Sequence, residues 1–342
     1  MSDSSRQGTL VAVRSGEQGG IGAIYPIQPP TGLLLGNALP EHLSFSGHQT
    51  FPFRYTWLPK SVHYVQQYPD LFARDDAMVI LGVGKNMVDS IRHWCETLSL
   101  IEVAERGRQA KPTQLGQQLL GPTGWDPFLE DPATLWLLHW LLVSRRDRAS
   151  TWYLAFTRFS ADIFRSVDLR TWLLKLAASN RSSRVTEESM RRDVDVFLRT
   201  YCPATANRDL PFEDTFDCPL VELGLIQRLE LDYYRFVRGP KPTLPDAIFI
   251  YALLDYWRRM AYAQQTLSFE TILRGPGSPG AAFKLSENAL VERLEGLPNW
   301  SRLEYDDTAG LRVVLRCDLQ AEMDGFTILR HYYRSGFERA VA

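Results

Sequence analysis

The sequence predicts a mainly α-helical protein with small β-wings, in which winged helix-turn-helix units flank a helical middle. Three observations lead there. Between Asp75 and Leu119 a short helix, a glycine-bearing turn, a second helix, an extended stretch and a basic loop follow one another, the order of a winged helix-turn-helix. From Pro132 to Tyr201 helical patterns succeed each other. From Thr266 to Arg316 a short helix, the linker Gly275-Pro-Gly-Ser-Pro-Gly280, another helix and two strands repeat the first order. The expected organisation is a flexible arm over 1–42, an N-terminal winged-helix-like domain over 43–125, a helical middle over 126–205, and a C-terminal domain over 206–342 with the second winged-helix-like unit.

Residues 1–42 are rich in Ser, Gly, Gln and Pro and show no sustained period, hence the arm. A loop rich in aromatic residues, Leu43 to Leu58, leads into a helix reaching about Tyr68. The second helix of the first unit starts near Lys85, because Met87, Val88, Ile91, Trp94 and Leu98 then form one apolar stripe at helical spacing. Lys85, Asp89, Arg92, His93 and Glu96 project from the other side. Ser99 to Val103 reads as a strand. Downstream, helices are expected at about 132–143, 151–164, 169–178 and 186–201, the first opened by Asp131-Pro132, a proline in a first turn behind a capping acid. The apolar run Leu135 to Val143 is too short to span a bilayer and reads as a helix hidden in a core. Strands over 229–237, a helix over 245–263, a short helix from Ser268, a helix over 286–294 and a hairpin turning at Asp307-Thr-Ala-Gly310 complete the chain before a basic aromatic tail, Phe326 to Phe337.

Outward side chains near the start of a recognition helix meet base edges, and wing residues meet phosphates. That nominates Lys85, Asn86, Arg92 and His93 on the helix, and Arg106, Arg108 and Lys111 on the wing. Charge argues for caution. Arg74, Lys85, Arg92, Arg106, Arg108 and Lys111 are matched by Asp75, Asp76, Asp89, Glu96, Glu102 and Glu105, so the unit lacks the basic footprint that drives non-specific DNA binding. The net charge of the chain is −2, so any basic surface is local. Between Arg145 and Arg199, however, twelve basic residues face seven acidic ones. Arg145 and Arg146, clustered with Arg148, and Arg191 and Arg192 are therefore added as phosphate contacts, since the guanidinium fork suits phosphate oxygens.

Catalytic and cofactor signals are weak. Val79 and Asn86 stand where a P-loop needs its first glycine and its hydroxyl, and Met87 replaces the third glycine of a dinucleotide fingerprint. The four cysteines are scattered, which suits a reducing cytoplasm and argues against a zinc site. No leader is legible at the N-terminus, and a cytoplasmic protein without cofactor or metal is expected. His48 and Arg54 in Gly47-His-Gln-Thr-Phe-Pro-Phe-Arg-Tyr55 are the candidates for a phosphate or partner contact, or for loop anchoring. They are also the centre of any nuclease or phosphotransferase alternative. His139, among Trp136, Leu137, Leu138 and Trp140, reads as a core histidine.

Five strings occurring in a fixed order resemble those of the bacterial family DUF4007. They are Gly47 to Tyr55 with Trp57-Leu58, Leu81-Gly-Val-Gly-Lys-Asn-Met-Val88, Asp131-Pro-Ala-Thr-Leu-Trp-Leu-Leu-His-Trp-Leu-Leu142, Asp217-Cys-Pro-Leu-Val-Glu-Leu-Gly-Leu225 and Gly277-Ser-Pro-Gly280, spanning about 43–333. The resemblance implies a companion of phosphoadenosine-phosphosulfate-reductase-like proteins in DNA sulfur-modification and phage-defence clusters, and transfers no catalytic residue. The expected function is thus a non-catalytic DNA-binding accessory protein of a phosphorothioation system, presenting duplex DNA. The alternative is an adaptor that docks the reductase-like enzyme without touching DNA.

Overall fold

A computed structural model describes residues 42–104, 107–180, 185–203, 218–230, 232–261, 263–308, 310–317 and 324–341. The arm over 1–41, Arg106, Arg181 and Arg184 lie outside the described residues. The chain is mainly helical with small antiparallel sheets.

The first region runs α1 (Trp57–Gln67), α2 (Ala77–Leu81), α3 (Lys85–Thr97), β1 (Ile101–Val103), β2 (Ala110–Pro112) and α4 (Gln114–Leu120). Gly82 ends α2 in the left-handed conformation at φ 68°, its N–H bonded to the Met78 carbonyl, and Gly84 caps α3 so that this helix starts at Lys85 as its spacing predicts. Val88, Ile91, Trp94 and Leu98 are buried and Met87 is half-buried, as the stripe requires. The strand after α3 returns as a hairpin, Ile101 opposite Pro112 and Val103 opposite Ala110.

Next come α5 (Pro132–Ser144), α6 (Ser150–Thr157), β3 (Ile163–Arg165), α7 (Ser166–Ser179), α8 (Glu187–Tyr201), β4 (Ile226–Glu230) and β5 (Tyr233–Phe236). Asp131 caps α5 by accepting from the Ala133 N–H at 2.8 Å, and nearly every side chain of this helix is buried. A helix apolar on all sides belongs inside a core. His139 there is fully buried and satisfied: Nε2 donates to the Ala282 carbonyl at 3.0 Å and Nδ1 accepts from the Tyr201 hydroxyl at 2.9 Å.

The middle is not helical throughout. The helix expected to reach Phe164 stops at Thr157, and Ile163-Phe-Arg165 pairs with β5 in a sheet of order β3-β5-β4. Phe164 is thereby buried against Phe236 and Tyr234, a cross-strand contact whose partners lie about 70 residues on and outweigh local helical pattern.

The last region runs α9 (Asp246–Ala261), β6 (Thr266–Ser268), α10 (Phe269–Arg274), α11 (Pro279–Ala282), α12 (Glu287–Glu295), β7 (Leu303–Thr308), β8 (Leu311–Arg316) and α13 (Gly325–Val341). Ser268, Ser278 and Ser286 each cap the following helix through the hydroxyl. The tail expected from Phe326 is helical and packs on α9. The sheet order is β6-β8-β7, so strand, helices and hairpin recur with the pairing of β3-β5-β4. One apolar core runs through all three regions, from Leu43 to Tyr333. Among the described residues no helix is long and apolar enough to cross a membrane.

Candidate nucleic-acid interface

Lys85, Asn86 and Asp89 are exposed along the first turns of α3. Arg92, one turn further, is half-buried and donates from Nε to Glu96 at 2.8 Å. The hairpin flanks this row: a Cβ placed on Gly107 would lie 3.3 Å from Arg92 Nη2, so the β1–β2 loop touches the helix at Arg92. Arg108 is exposed on that loop, and Lys111 on β2 reaches Glu102 across the hairpin at 3.2 Å.

The loop between α5 and α6 adds two more cations. Arg148 donates to the second oxygen of Glu96 at 2.6 Å, and Arg145 reaches the Ser99 hydroxyl at 3.1 Å. Glu96 thus sits between two guanidinium groups. Desolvation opposes its ionisation, but the hydrogen bonds from Arg92 and Arg148 prevail and hold its carboxyl below the ordinary range. Helix, hairpin and the Arg145–Arg148 loop therefore carry Lys85, Asn86, Arg92, Arg108, Lys111, Arg145 and Arg148 on adjoining elements. Arg148 stands in the sequence as one of a cluster with Arg145 and Arg146, and nothing local ties it to Glu96.

The other nominated residues are placed differently. His93 points into the protein, its ring edge-on to Trp94 at 5.3 Å and pressed on the Gly47 backbone. Burial, reinforced by His48, pulls its pKa down to about 4. Arg191 and Arg192 are exposed on α8 and share Glu188, whose carboxyl they hold at about 2. Such exposed pairs are worth little and exchange readily for a phosphate. Arg146 turns away from Glu96 and lies 5.0 Å over the Tyr153 ring.

His48 is only 2 % exposed. Its Nε2 donates to Asp193 Oδ1 at 2.7 Å, and Nδ1 receives the Thr50 N–H at 3.3 Å, which assigns the ring proton to Nε2. The ring stacks on Trp94 at 5.9 Å. Asp193, equally buried, also accepts from the Ser46 N–H at 2.6 Å and from the Thr151 hydroxyl. The Ser90 hydroxyl and Trp94 Nε1 donate to the carbonyls of His48 and Phe51, both at 2.9 Å. The Gly47–Tyr55 segment is thus a strap fastening α3 to α6 and α8. Arg54 lies on it with its guanidinium 5.1 Å over Trp57.

Gly47 makes the strap possible. It adopts φ +93°, and a Cβ there would stand 2.7 Å from the His93 ring. Gly47→Ala is expected to cost about 1–3 kcal/mol, read as a lower urea midpoint, because the residue meets backbone strain and a clash together.

Among the described residues no group of three or more His, Cys, Asp or Glu side chains is arranged to hold a metal. The fold and this surface define a mainly helical protein with small antiparallel sheets, in which a short-turn helix pair and its hairpin carry exposed basic residues. The chain belongs to the DUF4007 family, described as a protein of unknown function, whose model matches residues 45–333. It is similar to two solved structures, described as a magnesium ion-bound SspB crystal structure and an SspB crystal structure. Each is 32% identical with a TM-score of 0.76, over 86% of this chain and 88% of the other. No curated protein matches.

Proposed function

We propose that this chain is a non-catalytic, duplex-binding accessory protein of a DNA phosphorothioation system, in keeping with its likeness to SspB. The observation that supports it most is the pairing of an exposed helix start, Lys85 and Asn86, with a hairpin that abuts the same helix at Arg92. Taken as winged helices, the first unit, α1–β2, presents α3 to the major groove and Arg108 and Lys111 to flanking phosphates. Asn86 suits an adenine edge, and Asp89 a cytosine amine. Arg145 and Arg148 stand behind Glu96 as further phosphate partners, and Arg191 and Arg192 on α8 extend the track. His48 serves in this reading as the anchor of the strap beneath α3.

In fluorescence anisotropy at low salt the protein is expected to bind a labelled duplex. Lys85→Ala with Asn86→Ala should weaken it on the order of tenfold or more, as lost base contacts of about 1–3 kcal/mol each imply. No binding, or an unchanged affinity in the double variant, contradicts the reading. Turnover of the duplex by the purified protein contradicts its non-catalytic part.

One observation favours the adaptor reading. Val79 is 82 % exposed and Met78 43 % exposed on α2, beside Lys85, an apolar pair that suits a protein partner better than phosphates. Under that reading Val79→Asp abolishes co-purification of a phosphoadenosine-phosphosulfate-reductase-like partner, and the duplex binds only through that partner.

A further inference from the structure

Between Ser46 and Thr50 the chain holds a positive φ at every residue but His48: Ser46 71°, Gly47 93°, Gln49 49° and Thr50 71°. For glycine this is ordinary backbone. For the other three it is strained, most of all for the β-branched Thr50. Such a segment persists only where its surroundings over-determine it, and here they do. Asp193 takes the Ser46 N–H and the His48 ring, and His48 Nδ1 takes the Thr50 N–H. The Ser90 hydroxyl reaches the His48 carbonyl, and Arg199 Nη2 donates to the Thr50 carbonyl at 2.7 Å.

None of these bonds uses the side chain of Gln49 or Thr50. Both residues are exposed, and neither the Gln49 amide nor the Thr50 hydroxyl makes a hydrogen bond among the described residues. Glycine at either position would relieve the strain and keep every bond that the fold makes there. The fold therefore gains nothing from these two side chains, yet a buried network holds them out in one fixed shape. Strain of this kind clusters at binding sites. The surroundings say what the loop faces. Gly47 abuts the His93 ring and the His48 carbonyl meets Ser90, so the loop adjoins α3 beside the row of Asn86, Asp89 and His93. On its other side Arg199 ties it to α8, where Asp195 and the exposed Arg192 continue the row.

We propose that Gln49 and Thr50 form the tip of a DNA-reading loop set between α3 and α8. The Gln49 amide offers an acceptor and two donors to a base edge, and adenine, with its N6 donor and N7 acceptor, is the base that matches it. The Thr50 hydroxyl donates to the adjoining phosphate. This inference rests on the duplex-binding reading and adds to it contacts from a third element. It also gives the buried His48–Asp193 pair a task. The pair fixes the loop before DNA arrives, so that binding bears no cost of ordering it.

The test compares the full chain with Gln49→Ala and with the double variant Gln49→Gly, Thr50→Gly, by urea unfolding and by anisotropy on a labelled duplex at several salt concentrations. The double variant should hold or raise the urea midpoint, since glycine removes the strain. Its duplex affinity should fall on the order of tenfold, as the loss of a base contact implies. The slope of log K against log salt should stay as in the wild type, because neither side chain is charged. Gln49→Ala keeps the backbone restricted and removes the amide, so it too should weaken binding; this separates the lost contact from added flexibility. If either folded variant binds the duplex as the wild type does, the inference is overturned and the duplex-binding reading stands. A clearly lower urea midpoint in the double variant overturns it as well, since the two side chains would then serve the fold. A wild type that binds no duplex overturns both.

Discussion

Asp193→Ala is expected to lower the stability of the protein by about 3–5 kcal/mol, the usual cost of removing one member of a buried charge-assisted network. Asp193 is 1 % exposed and receives hydrogen bonds from His48, the Ser46 N–H and the Thr151 hydroxyl. Truncation leaves three donors without this acceptor, two on the strap segment and one on α6, of which the His48 ring and the Thr151 hydroxyl are buried. His48→Ala should cost less, since it vacates one of those bonds and leaves the carboxylate two. The double variant should be less unstable than the sum of the single ones, with a coupling of about 1–3 kcal/mol. Urea unfolding followed by tryptophan fluorescence reads this directly, because Trp94 and Trp152 both border His48. A loss under about 1 kcal/mol for Asp193→Ala would show that the strap is not held as described.

A steep loss of stability between neutral and moderately acidic pH is the second large effect. His139 is held down to about 3, chiefly by burial, aided by Lys284 and Lys241 and opposed by its bond to Ala282. Burial likewise holds His93 at about 4, with His48 reinforcing it. An unfolded histidine titrates near 6.5, so below that pH the unfolded chain takes up protons that the folded chain refuses. Both folded pKa values are depressed; the stability these groups contribute is therefore complete above about pH 6.5 and is lost as the pH falls towards 4. Two protons differing between the states give a slope of about 2.7 kcal/mol per pH unit in that window. This lies above the range in which most carboxylates titrate. Urea midpoints measured from about pH 7 to pH 5 should fall accordingly, and His93→Gln should remove about half of the slope. A flat profile in this range would mean that one or both rings are solvated.

The parts of the fold legible in the sequence are those set by local chemistry. Gly82 and Gly84 bracket the turn before Lys85, the Met87-to-Leu98 stripe marks the inward face of α3, and Asp131-Pro132 opens α5. The hairpin expected about Asp307–Gly310 is likewise found, with Thr308 at the end of β7 opposite Leu311 at the start of β8. The short strands β3 and β6 were not legible, unlike β1: they carry too little period to outweigh neighbouring helices, and each is defined by a partner strand far along the chain. The basic residues of α3 and the hairpin could be chosen from spacing, although His93, on the same apparent face, turns inward because the strap covers it. The partners of Arg148 and Asp193 were not legible, because Glu96 and His48 are 52 and 145 residues away. Similarly, Arg146 reads as one of an arginine trio, whereas the structure separates it from Arg145 and Arg148 and turns it towards Gly277.

The most direct test of duplex binding is the salt dependence of affinity for the wild type and for Arg108→Ala with Lys111→Ala. Each phosphate contact contributes a slope of about −0.9 in log K against log salt. The wild type should therefore show a clearly negative slope, and the double variant should lose about two contacts' worth, roughly 1.8. An affinity that ignores salt, or a variant with the wild-type slope, would contradict the claim that the hairpin beside α3 grips the DNA backbone.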